Sequence, residues 1–153
     1  MTDMVERWNL TPDLSISRVL TGLWQIADME REGRELDPAA TARAMAPYVQ
    51  AGFTTFDMAD HYGSAEVIAG LCAQEHGHDA VQLFTKWVPA PGPAGRDDVR
   101  TAVQTALDRL RSDRIDLLQF HAWNYADPSY LDTLTYLQEL KAQGLIRHLG
   151  MTN

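Results

Sequence analysis

The sequence has 153 residues, of which 45% are hydrophobic, and a formal net charge of −8. This length and composition suit one folded domain with a buried core and exclude a disordered chain. The acidic charge disfavours nucleic acid, whose phosphates would repel it, and no apolar stretch reaches the ~20 residues that span a membrane. The single cysteine, Cys72, excludes an internal disulfide and is expected to be a buried structural thiol. Because the N-terminal residues also lack the basic-then-apolar order of a secretory signal, we expect a cytoplasmic protein.

The first third of the chain predicts a strand and a helix. Residues 14–17 alternate in polarity and predict a short hairpin arm that caps the sheet, and residues 19–24 predict its first strand. The charged stretch 27–36 lacks periodicity and is predicted to be a loop. Asp37 followed by proline is typical of a helix start, and Gly52 is typical of a helix end. We therefore expect one helix between them.

The rest of the chain repeats this order three times. Strands are predicted at 54–58, 81–85, 115–120 and 146–151, and helices at 64–76, 97–110 and from Asp127 to Gly144. Residues 89–95 are too rich in proline and glycine for regular structure and predict a loop. The last helix is expected to place four leucines on one side, Leu131, Leu134, Leu137 and Leu140.

Five strands that alternate with four helices predict an α/β fold, in which a parallel sheet has its helices outside. A doubly wound sheet is the alternative, but it would usually carry the pattern G-x-G-x-x-G after its first strand. No such pattern follows residues 19–24, and its absence favours a barrel.

Four polar side chains are predicted to lie where strands end: Asp57, Tyr62, Lys86 and His121. In parallel α/β sheets this end of the strands is the expected place for an active site. A tyrosine, with an ordinary pKa of about 10, exchanges protons poorly at neutral pH, and a nearby lysine would lower that pKa. Asp57 would hold Lys86 in place, and His121 would orient a substrate oxygen. The set suits protonation of a carbonyl oxygen by Tyr62 while a hydride reaches the carbon.

Each of these residues alone has a structural explanation. An aspartate at a strand end often caps a helix or pairs with a cation, and a tyrosine before glycine usually packs in a turn. A lysine at a strand end is usually solvated, and a histidine in an apolar strand is often a core residue. Only the joint arrangement favours catalysis. No metal site is expected, because His76 and His78 lack further nearby ligands and are predicted to lie at an exposed helix end. No hydrolase G-x-S-x-G motif or nucleotide-binding Walker motif is present.

Four motifs resemble those of the aldo-keto reductase family. Residues 56–63, FDMADHYG, resemble the family signature F-D-T-A-x-x-Y-G, and residues 85–86 resemble its T-K after the third strand. Residues 117–121, LLQFH, resemble its D-L-x-x-x-H strand, and residues 144–153, GLIRHLGMTN, resemble its G-K-I-R-x-I-G-V-S-N segment. The four motifs occur in the family's order, and the resemblance covers about 19–153.

This resemblance implies a (β/α)8 TIM barrel that reduces an aldehyde or ketone to an alcohol with NADP(H). It implies that the catalytic residues are Asp57, Tyr62, Lys86 and His121. It also implies that the cofactor is bound by Gly22, Trp24, Asp57, Thr152 and Asn153. Thr152 stands where the family has serine, which also carries a hydroxyl. Trp87 and Trp123 are either walls of the pocket or aromatic residues of the core or of an interface.

Length is the main departure from the family. A (β/α)8 barrel usually needs ~250 residues, so residues 1–153 are expected to form a single partial domain that lacks strands six to eight. The later loops, which hold the cofactor phosphates in the family, would be missing with them. Self-association through exposed barrel edges is then expected, with apolar surface around Leu23, Phe56, Phe84 and Phe120 insofar as these face inward. The alternatives to an enzyme are a regulatory binding subunit on this scaffold, as in voltage-gated potassium channel β-subunits, and a truncated product without activity.

Overall fold

The computed structural model describes residues 5–27 and 36–153, which form a β-hairpin followed by strands that alternate with helices. The hairpin consists of β1 (Arg7–Thr11) and β2 (Leu14–Ser17). The main sheet consists of β3 (Thr21–Gly22), β4 (Thr55–Asp57), β5 (Gln82–Trp87), β6 (Ile115–His121) and β7 (Ile146–Thr152). The helices are α1 (Pro38–Ala44), α2 (Ala46–Gln50), α3 (Ala65–His76), α4 (Arg96–Leu110) and α5 (Tyr130–Ala142).

The main sheet has the strand order β3-β4-β5-β6-β7, and every neighbouring pair is parallel. Strands that follow one another in the sequence are therefore neighbours in space, as short right-handed crossovers favour. This confirms the predicted parallel sheet. It also brings the C-terminal ends of all five strands to one edge.

The main core lies between the sheet and its helices. Because side chains alternate along a strand, Phe56, Leu83 and Phe120 point from the sheet into this layer. They pack against apolar helix residues, among them Ile68, Cys72, Val103, Leu107 and Leu137. Cys72 is buried there without a disulfide partner, as expected.

The hairpin covers part of the opposite face of the sheet, around Phe84 and Leu117. Leu14 and Ile16 pack there on Phe84 and Leu117. The Arg147 Nε atom on β7 donates a hydrogen bond of 3.0 Å to the Asp13 Oδ2 atom at the hairpin turn. This confirms the predicted capping arm.

The apolar residues expected to be exposed on the inner face are all buried, with exposed fractions between 0% and 2%. Leu23, Phe56 and Phe120 face the helices, so the open edges of the sheet do not uncover them. Phe84 does lie on the other face, but the hairpin covers it. The prediction of apolar surface around these residues was therefore wrong.

The helix predicted between Asp37 and Gly52 is broken into α1 and α2 at Met45. Its start is confirmed, because Asp37 Oδ1 accepts a 2.9 Å hydrogen bond from Ala39 N. The break comes from Pro47, which has no N–H to donate and whose ring clashes with the carbonyl four residues earlier.

Two further boundaries differ from the prediction. Helix α5 begins three residues after Asp127, whose Oδ1 atom instead accepts a 2.9 Å hydrogen bond from Ser129 N in a local turn. The prediction of four leucines on one side was wrong: Leu131 is 53% exposed, whereas Leu137 and Leu140 are buried, because a spacing of three residues drifts around a helix of 3.6 residues per turn. The first strand of the sheet pairs only at Thr21–Gly22. The loop predicted at 27–36 lies outside the described residues, except for its two ends.

Candidate active site

Asp57 and Lys86 meet at the C-terminal ends of β4 and β5. Phe56 points into the main core, so Asp57 points to the opposite face of the sheet. The Lys86 Nζ atom lies 2.6 Å from Asp57 Oδ1 and 2.7 Å from Asp57 Oδ2, and it donates a third hydrogen bond of 2.9 Å to the Met58 carbonyl. Asp57 thus faces Lys86 as predicted. Because an ammonium has three donors, these contacts occupy all of them.

Tyr62 lies in the loop between β4 and α3, with its ring over Lys86. The Lys86 Nζ atom is 5.5 Å from the centroid of the Tyr62 ring. The ring also packs edge-on against Trp24, with 4.6 Å between centroids, and against His61 at 4.9 Å. These contacts hold the phenol beside the ion pair of Asp57 and Lys86.

The pKa of Tyr62 is raised above its ordinary value, chiefly by burial and then by the negative charges of Asp57 and Asp60. We expected Lys86 to lower this pKa, and that expectation was wrong for this arrangement. The reason is that burial and the charges of Asp57 and Asp60 outweigh the effect of Lys86, whose three donors are directed to Asp57 and Met58. Tyr62 therefore stays protonated at neutral pH.

His121 ends β6 on the same face of the sheet as Asp57 and Lys86, because Phe120 before it points into the main core. Its Nε2 atom is buried and has no hydrogen-bond partner among the described residues. A buried ring nitrogen without a partner is unusual and is suited to a ligand oxygen. The predicted approach of the Tyr62 hydroxyl to this ring stays a prediction.

The two tryptophans of uncertain role differ in their surroundings. Trp123 is 64% exposed and its ring packs on His121, with 4.9 Å between centroids. Trp87 is half-buried and packs on Phe120 of the main core at 5.9 Å. Trp123 therefore has the position of a wall beside the site, whereas Trp87 is at least partly a core aromatic.

The residues predicted to bind the cofactor lie on both sides of this cluster. Gly22 is the register neighbour of Asp57, and Leu23 N donates a 3.0 Å hydrogen bond to the Asp57 carbonyl. Trp24 follows and contacts Tyr62.

On the other side, Thr152 is the register neighbour of His121. Its carbonyl accepts a 2.9 Å hydrogen bond from the Tyr125 hydroxyl, which holds the end of β7 in place. Asn153 is the next residue and is exposed. The sheet therefore brings Gly22 and Thr152 to the same edge as Asp57 and His121.

Sequence reasoning missed a charged network behind the site. Glu66 on α3 is 1% exposed and accepts a 2.6 Å hydrogen bond from the Thr85 hydroxyl. The Arg109 Nη1 atom on α4 lies 3.2 Å from Glu66 Oε2 and 3.0 Å from the Asp60 carbonyl oxygen. Burial raises the pKa of Glu66, against the opposing effects of Thr85 and Arg109. The one signal in the sequence was a glutamate on a helix face otherwise made of Ala65, Ile68 and Ala69.

Within 5–27 and 36–153, no three His, Cys, Asp or Glu residues are grouped so that they could hold a metal ion. His76 is half-buried at the end of α3 rather than exposed, and His78 is exposed. None of the helices described is long and apolar enough to cross a membrane.

Comparison with known proteins connects this geometry to one family. The model of the aldo/keto reductase family matches residues 18–153. Aflatoxin B1 aldehyde reductase member 2 from Rattus norvegicus is 32% identical over 126 residues, which cover 79% of this chain and 34% of that protein.

Solved structures show the same fold. An aldo-keto reductase from Bacillus halodurans in its holo form has a TM-score of 0.77 at 26% identity, over 97% of this chain and 50% of that one. An aldo/keto reductase from Klebsiella pneumoniae, in complex with NADP and acetate, has a TM-score of 0.72 at 23% identity, over 91% of this chain and 46% of that one.

The chain spans about a third to a half of the length of these proteins. Their fold confirms that the five parallel strands and their crossover helices form part of a TIM barrel. With the family match over 18–153, this shows that the chain belongs to the aldo/keto reductase family.

Proposed function

We propose that the site acts in the NADP(H)-dependent reduction of an aldehyde or ketone to an alcohol, with Tyr62 as proton donor. The observation that carries this proposal is the Lys86 ammonium, held by both oxygens of Asp57, 5.5 Å from the Tyr62 ring centroid. The cluster lies at the C-terminal edge of a parallel sheet, where barrel enzymes place their catalytic residues. Membership of a family of carbonyl oxidoreductases supports it.

Tyr62 is protonated at neutral pH, since its pKa lies above its ordinary value of about 10, so a proton is present for transfer to a carbonyl oxygen. Loss of that proton leaves a phenolate, which attracts the Lys86 ammonium more strongly than the neutral phenol does. Lys86 therefore stabilises the transition state more than the ground state, as catalysis requires. His121 Nε2, which has no partner among the described residues, would donate a hydrogen bond to the same oxygen and orient it.

The residues at this edge fit a nicotinamide cofactor, which when bound supplies the hydride for the carbonyl carbon. Beside Asp57 the surface is open, since no described atom lies within 4 Å of a Cβ built on Gly22. Trp24 would contact the cofactor on this side, with Asp57. The Thr152 hydroxyl and the Asn153 amide have the donors and acceptors that a carboxamide needs. The NADP complex of the Klebsiella protein supports the choice of NADP(H).

Residues 1–153 would then serve as a single partial domain, and a closed barrel would need three further strand–helix units. The phosphates of the cofactor would be held by those units rather than by this sheet. Self-association through the edges at β3 and β7 and a cytoplasmic location stay predictions. The same holds for the expectation that the chain binds no nucleic acid.

The second candidate is a regulatory subunit that keeps the fold without turnover. The observation that favours it is that Lys86 directs its three donors to Asp57 and Met58 while the pKa of Tyr62 is raised, which makes the phenol a weaker acid. Such a subunit would bind a partner or a cofactor but would not reduce a carbonyl.

One experiment separates the two candidates. The full-length protein that contains these residues is mixed with a simple aldehyde and NADPH deuterated at the transferable position. The proposal expects aldehyde-dependent loss of NADPH absorbance and one deuterium on the carbinol carbon of the product. Quenching of tryptophan fluorescence by NADPH without turnover would favour the regulatory subunit. If NADPH neither quenches the fluorescence nor is oxidised, the proposal and a cofactor-binding regulatory subunit are both overturned.

A further inference from the structure

A buried hydrogen bond connects the strand that carries Lys86 to helix α3. Thr85 precedes Lys86 on β5 and points into the helix layer, where its hydroxyl donates to Glu66 Oε1 at 2.6 Å. Both residues are buried. The side chain of Glu66 is therefore fixed relative to the backbone from which Lys86 extends.

The second oxygen of Glu66 connects to the loop that carries Tyr62. The Arg109 Nη1 atom lies 3.2 Å from Glu66 Oε2 and 3.0 Å from the carbonyl oxygen of Asp60, two residues before Tyr62. A single nitrogen thus bridges the buried carboxylate and the loop backbone. Both hydrogen bonds come from the Arg109 guanidinium, and hydrogen bonds from a charged donor are stronger than those between neutral groups.

The Asp60 backbone is also tied to the Lys86 strand. Asp60 N donates a 2.9 Å hydrogen bond to the Lys86 carbonyl, and Asp60 Oδ2 accepts a 3.2 Å hydrogen bond from Val88 N. The loop is therefore attached to β5 on one side and to Arg109 on the other. Without the Arg109 contact, the loop would keep its contacts to β5 and Tyr62 would keep its ring contacts to Trp24 and His61, but the loop backbone would lose its connection to α4.

A purely structural ion pair is the simpler explanation, but it accounts poorly for these contacts. Pairing the buried Glu66 carboxylate with Arg109, whose side chain is 40% exposed, contributes little net stability, because desolvation of the carboxylate offsets the attraction. The hydrogen bond from Arg109 to the Asp60 carbonyl does not pair any atom of Glu66, and its direct effect is to hold the loop backbone. The network is better explained by the geometry it imposes.

We propose that Glu66 and Arg109 are positioning residues that set the placement of Tyr62 over Lys86. The catalytic meaning of this inference rests on the proposed role of Tyr62 as the acid. The placement of Tyr62 itself can be observed without turnover. Neither residue touches the reacting groups. Their effect passes through Thr85 to β5 and through the Asp60 carbonyl to the Tyr62 loop.

The test compares Arg109→Met and Arg109→Lys in the full-length protein, with Val103→Ala as control. Val103 lies on the same helix and is buried, but it takes no part in the network. Two readouts are followed without cofactor under fully folded conditions. They are the Tyr62 ring resonance, from tyrosine labelled with 13C at Cζ, and hydrogen exchange at the Asp60 amide.

Arg109→Met is expected to shift the Tyr62 resonance and to accelerate Asp60 exchange about tenfold, as loss of a local restraint does. Arg109→Lys should restore both toward the wild-type values, because a lysine ammonium can replace the one nitrogen that makes both contacts. Val103→Ala should lower stability and leave both signals unchanged. If Arg109→Met behaves like Val103→Ala, the inference is overturned. Glu66→Gln gives the same comparison if Arg109→Met does not fold.

Turnover is then measured separately. If wild-type protein reduces no aldehyde but the Tyr62 resonance responds to Arg109→Met, the placement holds and the proposed function fails. If wild-type protein is active, Arg109→Met should lower kcat with little change in KM for NADPH. If the wild-type protein is active but Arg109→Met changes neither the Tyr62 signals nor kcat, the inference is overturned and the proposed function stands.

Discussion

Lys86 lies near Tyr62 together with two carboxylates, Asp57 and Asp60. Asp57 takes two of the three donors of Lys86, and both carboxylates raise the pKa of the phenol. The protonated form of Tyr62 is therefore favoured, which keeps a proton available for a carbonyl oxygen but makes the phenol a weaker acid. Proton uptake by Tyr62 in the reverse reaction would need a higher pH.

Asp57→Asn should lower the pKa of Tyr62. The substitution removes one of the carboxylates that oppose ionisation and releases Lys86 to stabilise the phenolate. The measurement is a pH titration of the 13C Cζ resonances of the tyrosines, with Tyr62 assigned from Tyr62→Phe. Asp79→Asn, at an exposed position, is the control and should change nothing. An unchanged or higher pKa in Asp57→Asn would show that Asp57 does not control the phenol.

The meeting of Asp57 and Lys86 beside Tyr62 was predictable, because Asp57 and Lys86 lie at strand ends and Tyr62 follows in the next loop, each within a recognisable motif. The network of Glu66 and Arg109 was not, because the two residues are 43 positions apart and neither belongs to a motif. The direction of the Tyr62 pKa was also missed, since it depends on where the three donors of Lys86 point. Sequence reasoning supplies the residue types but not these directions.

Helices α3 and α4 cross at Gly70. A Cβ built on Gly70 would lie 2.6 Å from the carbonyl oxygen of Arg109 and from backbone atoms of Leu110. Only glycine permits this approach, and it places Arg109 within reach of Glu66. The close crossing of two helices therefore supports the network behind the site.

Gly70→Ala is expected to destabilise the protein by about 1–3 kcal/mol, because the added methyl group meets backbone that cannot move alone. Urea unfolding measures this loss. Gly150→Ala is the matched control, since a Cβ there would make ordinary contacts of 3.5 Å with Gln119, and little loss of stability is expected. Equal effects of the two substitutions would contradict the close crossing.

Glu66→Gln should make stability depend less on pH. Burial raises the pKa of Glu66 above its ordinary value of 4.5, so between these two values the folded state binds more protons than the unfolded state. The contribution of Glu66 to wild-type stability therefore falls as pH rises through this window. Glutamine has no proton to lose, so the stability of Glu66→Gln relative to that of the wild type should rise with pH over the same range. A stability difference that does not change with pH, measured by urea unfolding, would refute this.

The alternation of strands and helices was predictable because hydrophobic periodicity and turn residues mark it locally. Strand β1 was not, because most of its residues are exposed and only pairing with β2 defines it. The break at Met45 had a visible cause in Pro47, which the apolar pattern around it outweighed. The late start of α5 depends on the side chain of Asp127 bonding to its own turn.

For the whole molecule, the hairpin acts as a cover for the face of the sheet opposite the helices. Leu14 and Ile16 exclude water from Phe84 and Leu117. Reciprocal bonds tie the hairpin to the sheet, from Ser17 N to the Thr55 hydroxyl at 2.9 Å and from Thr55 N to the Ser17 hydroxyl at 3.1 Å. The small second core is thus part of the fold rather than an appendage.

Leu14→Ala should cost about 2–5 kcal/mol, as expected when a buried leucine leaves a cavity. Leu10→Ala lies in the same hairpin but at a position that is 44% exposed, and it should change stability by about 0.5 kcal/mol or less. Thermal or urea unfolding of both variants provides the comparison. If Leu14→Ala were as stable as Leu10→Ala, the hairpin would not be a structural cover.

The role of Tyr62 is tested most directly by the rate at which Tyr62→Phe in the full-length protein reduces a simple aldehyde at saturating NADPH. Only the hydroxyl is removed, and the ring keeps its packing against Trp24, so NADPH should bind as in the wild type. Loss of a general acid predicts a kcat lower by about 100- to 10,000-fold. Tyr48→Phe, at an exposed position, should leave kcat unchanged. A kcat for Tyr62→Phe equal to that of the wild type would contradict the assignment of Tyr62 as the proton donor.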